Sequence, residues 1–187
     1  MPVIADLNDL FADMLKDIYY AEKKILKTLP KLAKAVGKDS PLAAAFEKHR
    51  QETEGQVKRL EQVFGIIDQK PKAKKCDAIE GILKEGDALI KEVDCKATLR
   101  AGLLAGAQAV EHYEIARYGT LVEWAKRLGR QDAAELLEET LEQEKNTDSS
   151  LNEMAVKEIN QAAVDALDED EEEEEKKPRT PSRRRAA

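Results

Sequence analysis

The chain has 187 residues and a formal net charge of -7, with 42% hydrophobic and 37% charged residues but only 9 Gly and 6 Pro, enough for one substantial core. Aromatics at 4%, with the apolar content carried by Leu, Ala, Ile and Val among Lys and Glu, favour helix and exclude an all-β sandwich. No run approaches the roughly 20 apolar residues of a membrane span, and MPVIADLNDLF has no basic region leading into an apolar stretch, so a cytoplasmic protein without a membrane partner is expected. Cys76 and Cys95 spell neither a metal-ligand pair nor a disulfide framework and read as ordinary reduced thiols.

From Val3 to about Val36 the apolar positions Leu7, Leu10, Phe11, Met14, Ile18, Ile25 and Leu29 recur at three- and four-residue spacing, which predicts one long amphipathic helix. Pro30 falls inside it and predicts a kink near Lys27. Gly37 to Pro41 spell a stop and a new start. A second helix is predicted from Pro41 to about Ile67, a shorter third from Asp77 to about Val93, and a fourth from Ala97 to Leu128. Gly129 ends the fourth, and Asp132 is the expected cap of a fifth that runs to about Leu167. Four long striped helices and a short one are buried most simply as a four-helix bundle, the short helix being the crossover between two hairpins.

The two halves align with a shift of 92 positions: Phe11, Leu15 and Ile18 meet Leu103, Ala107 and Val110, and Leu29, Ala33, Lys34 and Gly37 meet Leu121, Ala125, Lys126 and Gly129. This reads as a degenerate duplication. Within it, Glu22 lies four residues after Ile18 and three before Ile25, inside the apolar stripe, and its counterpart Glu114 lies four after Val110 and four before Tyr118, again inside the stripe. Glu52 and Gln56 match Glu144 and Asp148, which sit between Leu141 and Leu151 near the stripe centre, whereas Glu52 falls toward an edge. Every long helix therefore sends an oxygen ligand inward. Several ionised carboxylates buried together cost several kcal/mol each without compensation, and a bound pair of cations would supply it. The arrangement resembles the carboxylate-bridged two-metal sites of ferritin-like bundles.

The segments DLNDLFADMLKDIYYAEKKILKTLPKLAKA, FEKHRQETEGQVKRLEQVF, CDAIEGILKEG and LLEETLEQEKNTD resemble the bacterial YciE/YciF group of ferritin-like proteins, over about residues 4 to 165. The resemblance implies an antiparallel ferritin-like four-helix bundle, a di-metal centre, a homodimer and a link to stress responses. It implies no established reaction. The chain departs from the general ferritin-like pattern because Gly55 and Thr147, not His, stand three residues after Glu52 and Glu144. Gln56 and Asp148, four residues on, share the face and offer harder oxygen donors instead.

The expected metal ligands are therefore Glu22, Glu52, Gln56, Glu114, Glu144 and Asp148, holding two divalent ions, iron or manganese, with small oxygen species as the reactants. A different reading pairs the same glutamates with basic residues such as Lys145, Arg50 or Arg117. His49 and His112 both fall near a core face; His49 precedes Glu52 by three residues and is a further candidate ligand. Tyr19, Tyr20, Tyr113 and Tyr118 lie near the carboxylates in sequence and read as core and wet-edge residues, or as groups serving a metal pair, while Trp124 reads as a packing or subunit-contact residue. Asp168 to Glu175 is a run of eight acids, and six basic residues follow before Ala186, so residues 168–187 are expected to be a disordered tail outside a domain over 1–167. Without the tail, 30 acidic and 25 basic residues leave -5, which speaks against nucleic acid as a partner. The alternative function is a non-enzymatic helical stress or structural protein acting as a dimer or binding module.

Overall fold

The structure, a computed structural model, describes residues 4–167. It consists of α1 (Leu7–Val36), α2 (Pro41–Ile66), α3 (Asp77–Glu92), α4 (Lys96–Arg127) and α5 (Gln131–Met154), the last prolonged by a wider π-helical turn over Ala155–Ile159 and an α-helical end over 160–167. No strand occurs among the described residues. The tail expected over residues 168–187 lies outside them.

Helix ends follow local chemistry. Asp6 caps α1 by accepting from the Asp9 amide at 3.0 Å, so the helix starts at Leu7 and not at Val3 as the stripe alone suggests. It runs as one helix through Pro30 to Val36, and Gly37 then turns the chain at φ +87°, a value that only glycine adopts without strain. Pro41 opens α2 at a position where a missing amide costs nothing. Cys76 caps α3, its Sγ accepting from the Ile79 amide at 3.5 Å. The cap position of α5 is Arg130, and Asp132, expected there, lies in the first turn, where a carboxylate favours the helix dipole instead.

Helices α1 and α2 form one hairpin and α4 and α5 the other, and the hairpins meet along α1 with α4 and along α2 with α5. Asn8 bonds Arg130 while Val36 bonds Arg100, so α1 and α4 are antiparallel. The Arg59–Glu139 and Gln56–Gln143 bonds set α2 and α5 antiparallel in the same way. Since α2 and α4 consequently run in the same direction, a tight turn cannot join them, and α3 carries the chain across while packing on α1 and α4. The core is continuous, from Phe11, Leu15 and Ile18 through Phe46, Leu60 and Leu103 to Leu121 and Leu137. Both members of the matched pairs Phe11/Leu103, Leu15/Ala107, Ile18/Val110 and Leu29/Leu121 are buried.

Candidate metal centre

Five ionisable groups from four helices are buried at the middle of the bundle: Glu22 of α1, His49 of α2, Glu111 and Glu114 of α4 and Glu144 of α5. Of these, His49, Glu111, Glu114 and Glu144 each offer one ligand atom, all within 4.8 Å of one another. His49 Nε2 stands 3.5 Å from Glu111 Oε1, and its Nδ1 stands 4.0 Å from Glu144 Oε2. Glu22 contacts Glu114, Glu111 contacts Glu144, and the Tyr118 hydroxyl donates to Glu22 Oε1.

Basic residues do not neutralise this group. Among the described residues no lysine or arginine forms an ion pair with Glu22, Glu111, Glu114 or Glu144; Lys145 pairs with Glu142, Arg50 with Glu47 and Glu54, and Arg117 with Asp17. The salt-bridge reading holds only for Glu52, 3.4 Å from Lys48. Arg59 acts on Glu22 through space while its own donors go to Thr140, Glu139 and Gln143. Glu22 Oε2, Glu111 Oε2, both oxygens of Glu114 and Glu144, and both ring nitrogens of His49 are buried without a hydrogen-bond partner.

Burial therefore governs their protonation. It pushes Glu22 up to about 7, against the Tyr118 hydroxyl bond and the adjacent Glu114 carboxyl, which favour its charge, and Glu111 up to about 8 with help from Glu22, Asp148 and Glu52. Glu114 and Glu144 are driven well above the usual carboxyl range, by burial first and by the neighbouring glutamates second. Burial drops His49 to about 4, which leaves its imidazole neutral and its lone pair free at neutral pH. Two ionised carboxylates cannot hydrogen-bond each other, so each glutamate pair has to share a proton or a cation.

The expected residues are placed as follows. Glu22, Glu114 and Glu144 are fully buried and face one another's neighbours in the cluster. Gln56 is buried nearby, its amide nitrogen on Gln143 at 3.3 Å and its Oε1 unpartnered. Glu52 and Asp148 form a rim: their side chains are 23% and 24% exposed, yet Glu52 Oε2 and Asp148 Oδ1 are buried. Asp148 thus lies at the margin and not near the stripe centre, because α5 turns Thr147 and Leu151 inward beside it. His112, expected near a core face, is 70% exposed and meets Asp148 at 3.3 Å from outside; it follows Glu111 directly and so is turned about 100° away from it around α4.

Glu111 was not foreseen. The 92-residue shift sets it against Tyr19, so the repeat gives no hint of a carboxylate there. The signal that finds it is the width of the α4 stripe, since Ala107, Glu111, Glu114 and Tyr118 continue at spacings of four, three and four. Of the tyrosines, Tyr118 belongs to the cluster, whereas Tyr19, Tyr20 and Tyr113 donate to Glu61, Glu80 and Asp17 at its periphery. Tyr113 also meets the Cys76 thiol at 3.0 Å, and Cys76 is a free thiol. Trp124 packs against the core.

The donor set fits a divalent cation. Four carboxyl groups and one neutral imidazole converge without counter-charge, and the unpartnered atoms are those that a cation would satisfy.

Residues 6–164 match a family described as a domain of unknown function, DUF892. Protein YciF of Escherichia coli K12 is 43% identical over 158 residues, 84% of this chain and 95% of that protein. The crystal structure of the E. coli stress protein YciF superposes with a TM-score of 0.79 at 43% identity, over 83% of this chain and 98% of that one. YcfI of Rhodopseudomonas palustris, for which a structural role has been suggested, gives 0.77 at 44% identity over 80% and 94%. A protein of Xanthomonas campestris shares the fold at 24% identity, with a TM-score of 0.67 over 89% and 99%.

Proposed function

Because the chain belongs to the DUF892 family, a relative of which is named as a stress protein, we propose that it is a metal-binding bundle of the bacterial stress response, with a pair of iron or manganese ions in its core. The observation that supports this is the group of buried carboxyl oxygens and imidazole nitrogens without partners. Glu22, His49, Glu111, Glu114 and Glu144 would hold the ions, and Glu52, Gln56 and Asp148 would complete the shells. When bound, such a pair supplies one-electron chemistry toward small oxygen species. The chain's own contribution is to present these donors preorganised. Tyr118 fixes Glu22 through its hydroxyl, Thr53 ties its hydroxyl to the His49 carbonyl at 2.8 Å, and the surrounding leucines and phenylalanines exclude water.

A second reading, a non-enzymatic structural or dimeric module, is favoured by the carboxyl–carboxyl contacts, which a shared proton satisfies as well as a cation does, and by the structural role suggested for the Rhodopseudomonas relative. Elemental analysis of protein purified without chelator separates the two. Stoichiometric iron or manganese, lost in Glu22→Ala and Glu114→Ala while helical circular dichroism persists, supports the metal reading. Metal-free wild type, or variants that keep wild-type metal content, overturns it.

A further inference from the structure

Two small cavities adjoin each other, the outer between α1, α3 and α4 and the inner reaching all five helices, and the inner one ends on the cluster. The inner cavity, about 20 Å³, is bounded by apolar side chains such as Leu29, Phe46 and Val110, and by His49 and Glu111. The outer cavity, about 30 Å³, shares Thr28, Leu32, Leu83, Ala107 and Val110 with it and extends to Ile82 and Gly86 of α3 and Gly106 of α4, which are partly exposed. Glycine keeps this outer chamber open: a Cβ at Gly106 would meet no atom within 4 Å, and one at Gly86 would meet only Leu103 Cδ2 at 3.9 Å. The helix α3, needed for topology, thus also roofs an apolar route to the buried donors.

The wall selects by polarity. At the shared section the only hydroxyl is Thr28 Oγ1, and it is committed to the Lys24 carbonyl at 2.9 Å. A water molecule or hydrogen peroxide there would lose most of its hydrogen bonds, and superoxide would lose its hydration while approaching a group of carboxyls. A neutral apolar diatomic loses nothing comparable, and each cavity exceeds the roughly 10–15 Å³ that one water-sized guest requires. We infer that the two cavities form a binding passage for dioxygen, leading from the α3 face to the His49 and Glu111 side of the cluster. The inference rests on the metal reading for what dioxygen meets at the inner end, and it specifies that reading by naming the oxygen species admitted.

Crystals of full-length, metal-free protein pressurised with xenon test the passage directly. The expected result is xenon density beside Leu83, Ala107 and Val110. In solution under dioxygen, the paramagnetic relaxation of the partly buried Leu83 and the buried Val110 methyls is expected to exceed severalfold that of Leu141 and Val122, which match them in burial and lie outside both cavities. Gly106→Leu projects a side chain into the outer chamber and should lose the outer xenon and most of that excess while keeping helical circular dichroism. Gly119→Leu, on the same helix where a Cβ also meets nothing within 4 Å, should leave both signals unchanged. Ordered water in place of xenon, no guest at all, or Leu83 and Val110 relaxing like Leu141 and Val122 would overturn the passage. No metal enters either measurement, so a negative result leaves the metal reading intact, and a failed elemental analysis leaves the passage intact.

Discussion

Chelated protein should lose stability as pH rises, and metal-loaded protein should gain it over the same range. An unfolded glutamate titrates near 4.5, whereas burial holds Glu22 up to about 7, Glu111 up to about 8, and Glu114 and Glu144 well above the ordinary carboxyl range. Above 4.5 the folded chain therefore holds protons that the unfolded chain has released. The stability tied to them is complete below 4.5 and is lost as pH climbs toward the folded values. If each of the pairs Glu22–Glu114 and Glu111–Glu144 retains one proton, two protons differ between the states, and the slope is about 3 kcal/mol per pH unit. His49 works in the opposite sense. Lowered from 6.5 to about 4 by burial, it is neutral when folded, so its contribution is present above 6.5 and is lost as pH falls toward 4. Below 6.5 it offsets one of the two protons, leaving a net of about 1.4 kcal/mol per unit. Surface carboxylates such as Glu47, Glu80 and Glu153 are shifted down by their basic partners and titrate below this window. At roughly 2–4 °C per kcal/mol for a domain of this size, the melting temperature in chelator should fall by about 3–6 °C per unit between about pH 5.5 and 6.5. A cation demands ionised carboxylates, so its affinity, and the stability it confers, rises with pH. Thermal melts followed by circular dichroism with and without chelator measure both slopes. A flat or rising curve in chelator would mean that the cluster is ionised and hydrated, and would refute the argument.

Tyr118→Phe should destabilise metal-free protein by about 1–3 kcal/mol at neutral pH, because Glu22 Oε1 loses its donor inside the core. Urea unfolding reads this, and a loss equally large near pH 5, where Glu22 carries its own proton, would show that packing is responsible instead. Truncation after Leu167 removes eight acidic and six basic residues and no apolar side chain but the two terminal alanines, changing the charge only from -7 to -5. The melting temperature should therefore move by no more than a few degrees, and a larger fall would reveal a docked tail.

The helices were legible because their stripes are long, and the bundle because stripes of that width have to bury one another. Boundaries needed more than periodicity. The stripe extends α1 back to Val3, but the Asp6 side chain decides where it begins, and at α5 the backbone turn at Gly129 places Arg130, not Asp132, at the cap. In the cluster, Glu22, Glu114 and Glu144 were legible as charges on apolar faces. Glu111 was not, because comparing the halves shows only what both share. The exposures of Asp148 and His112 depend on how α4 and α5 are rotated in their contact, by amounts smaller than the angle between adjacent residues, and spacing alone does not resolve that.

The resemblance between the two hairpins has a further implication. In a bundle assembled from two identical hairpins every side chain occurs twice, so an imidazole at His49 would bring a second in place of Leu141, and a carboxyl at Glu111 a second in place of Tyr19. Joining the hairpins through α3 releases each half from copying the other, so that Leu141 and Tyr19 remain packing residues while His49 and Glu111 give the centre one side unlike the other. Such handedness within a near-symmetric frame is what a single polypeptide can encode and a pair of identical ones cannot.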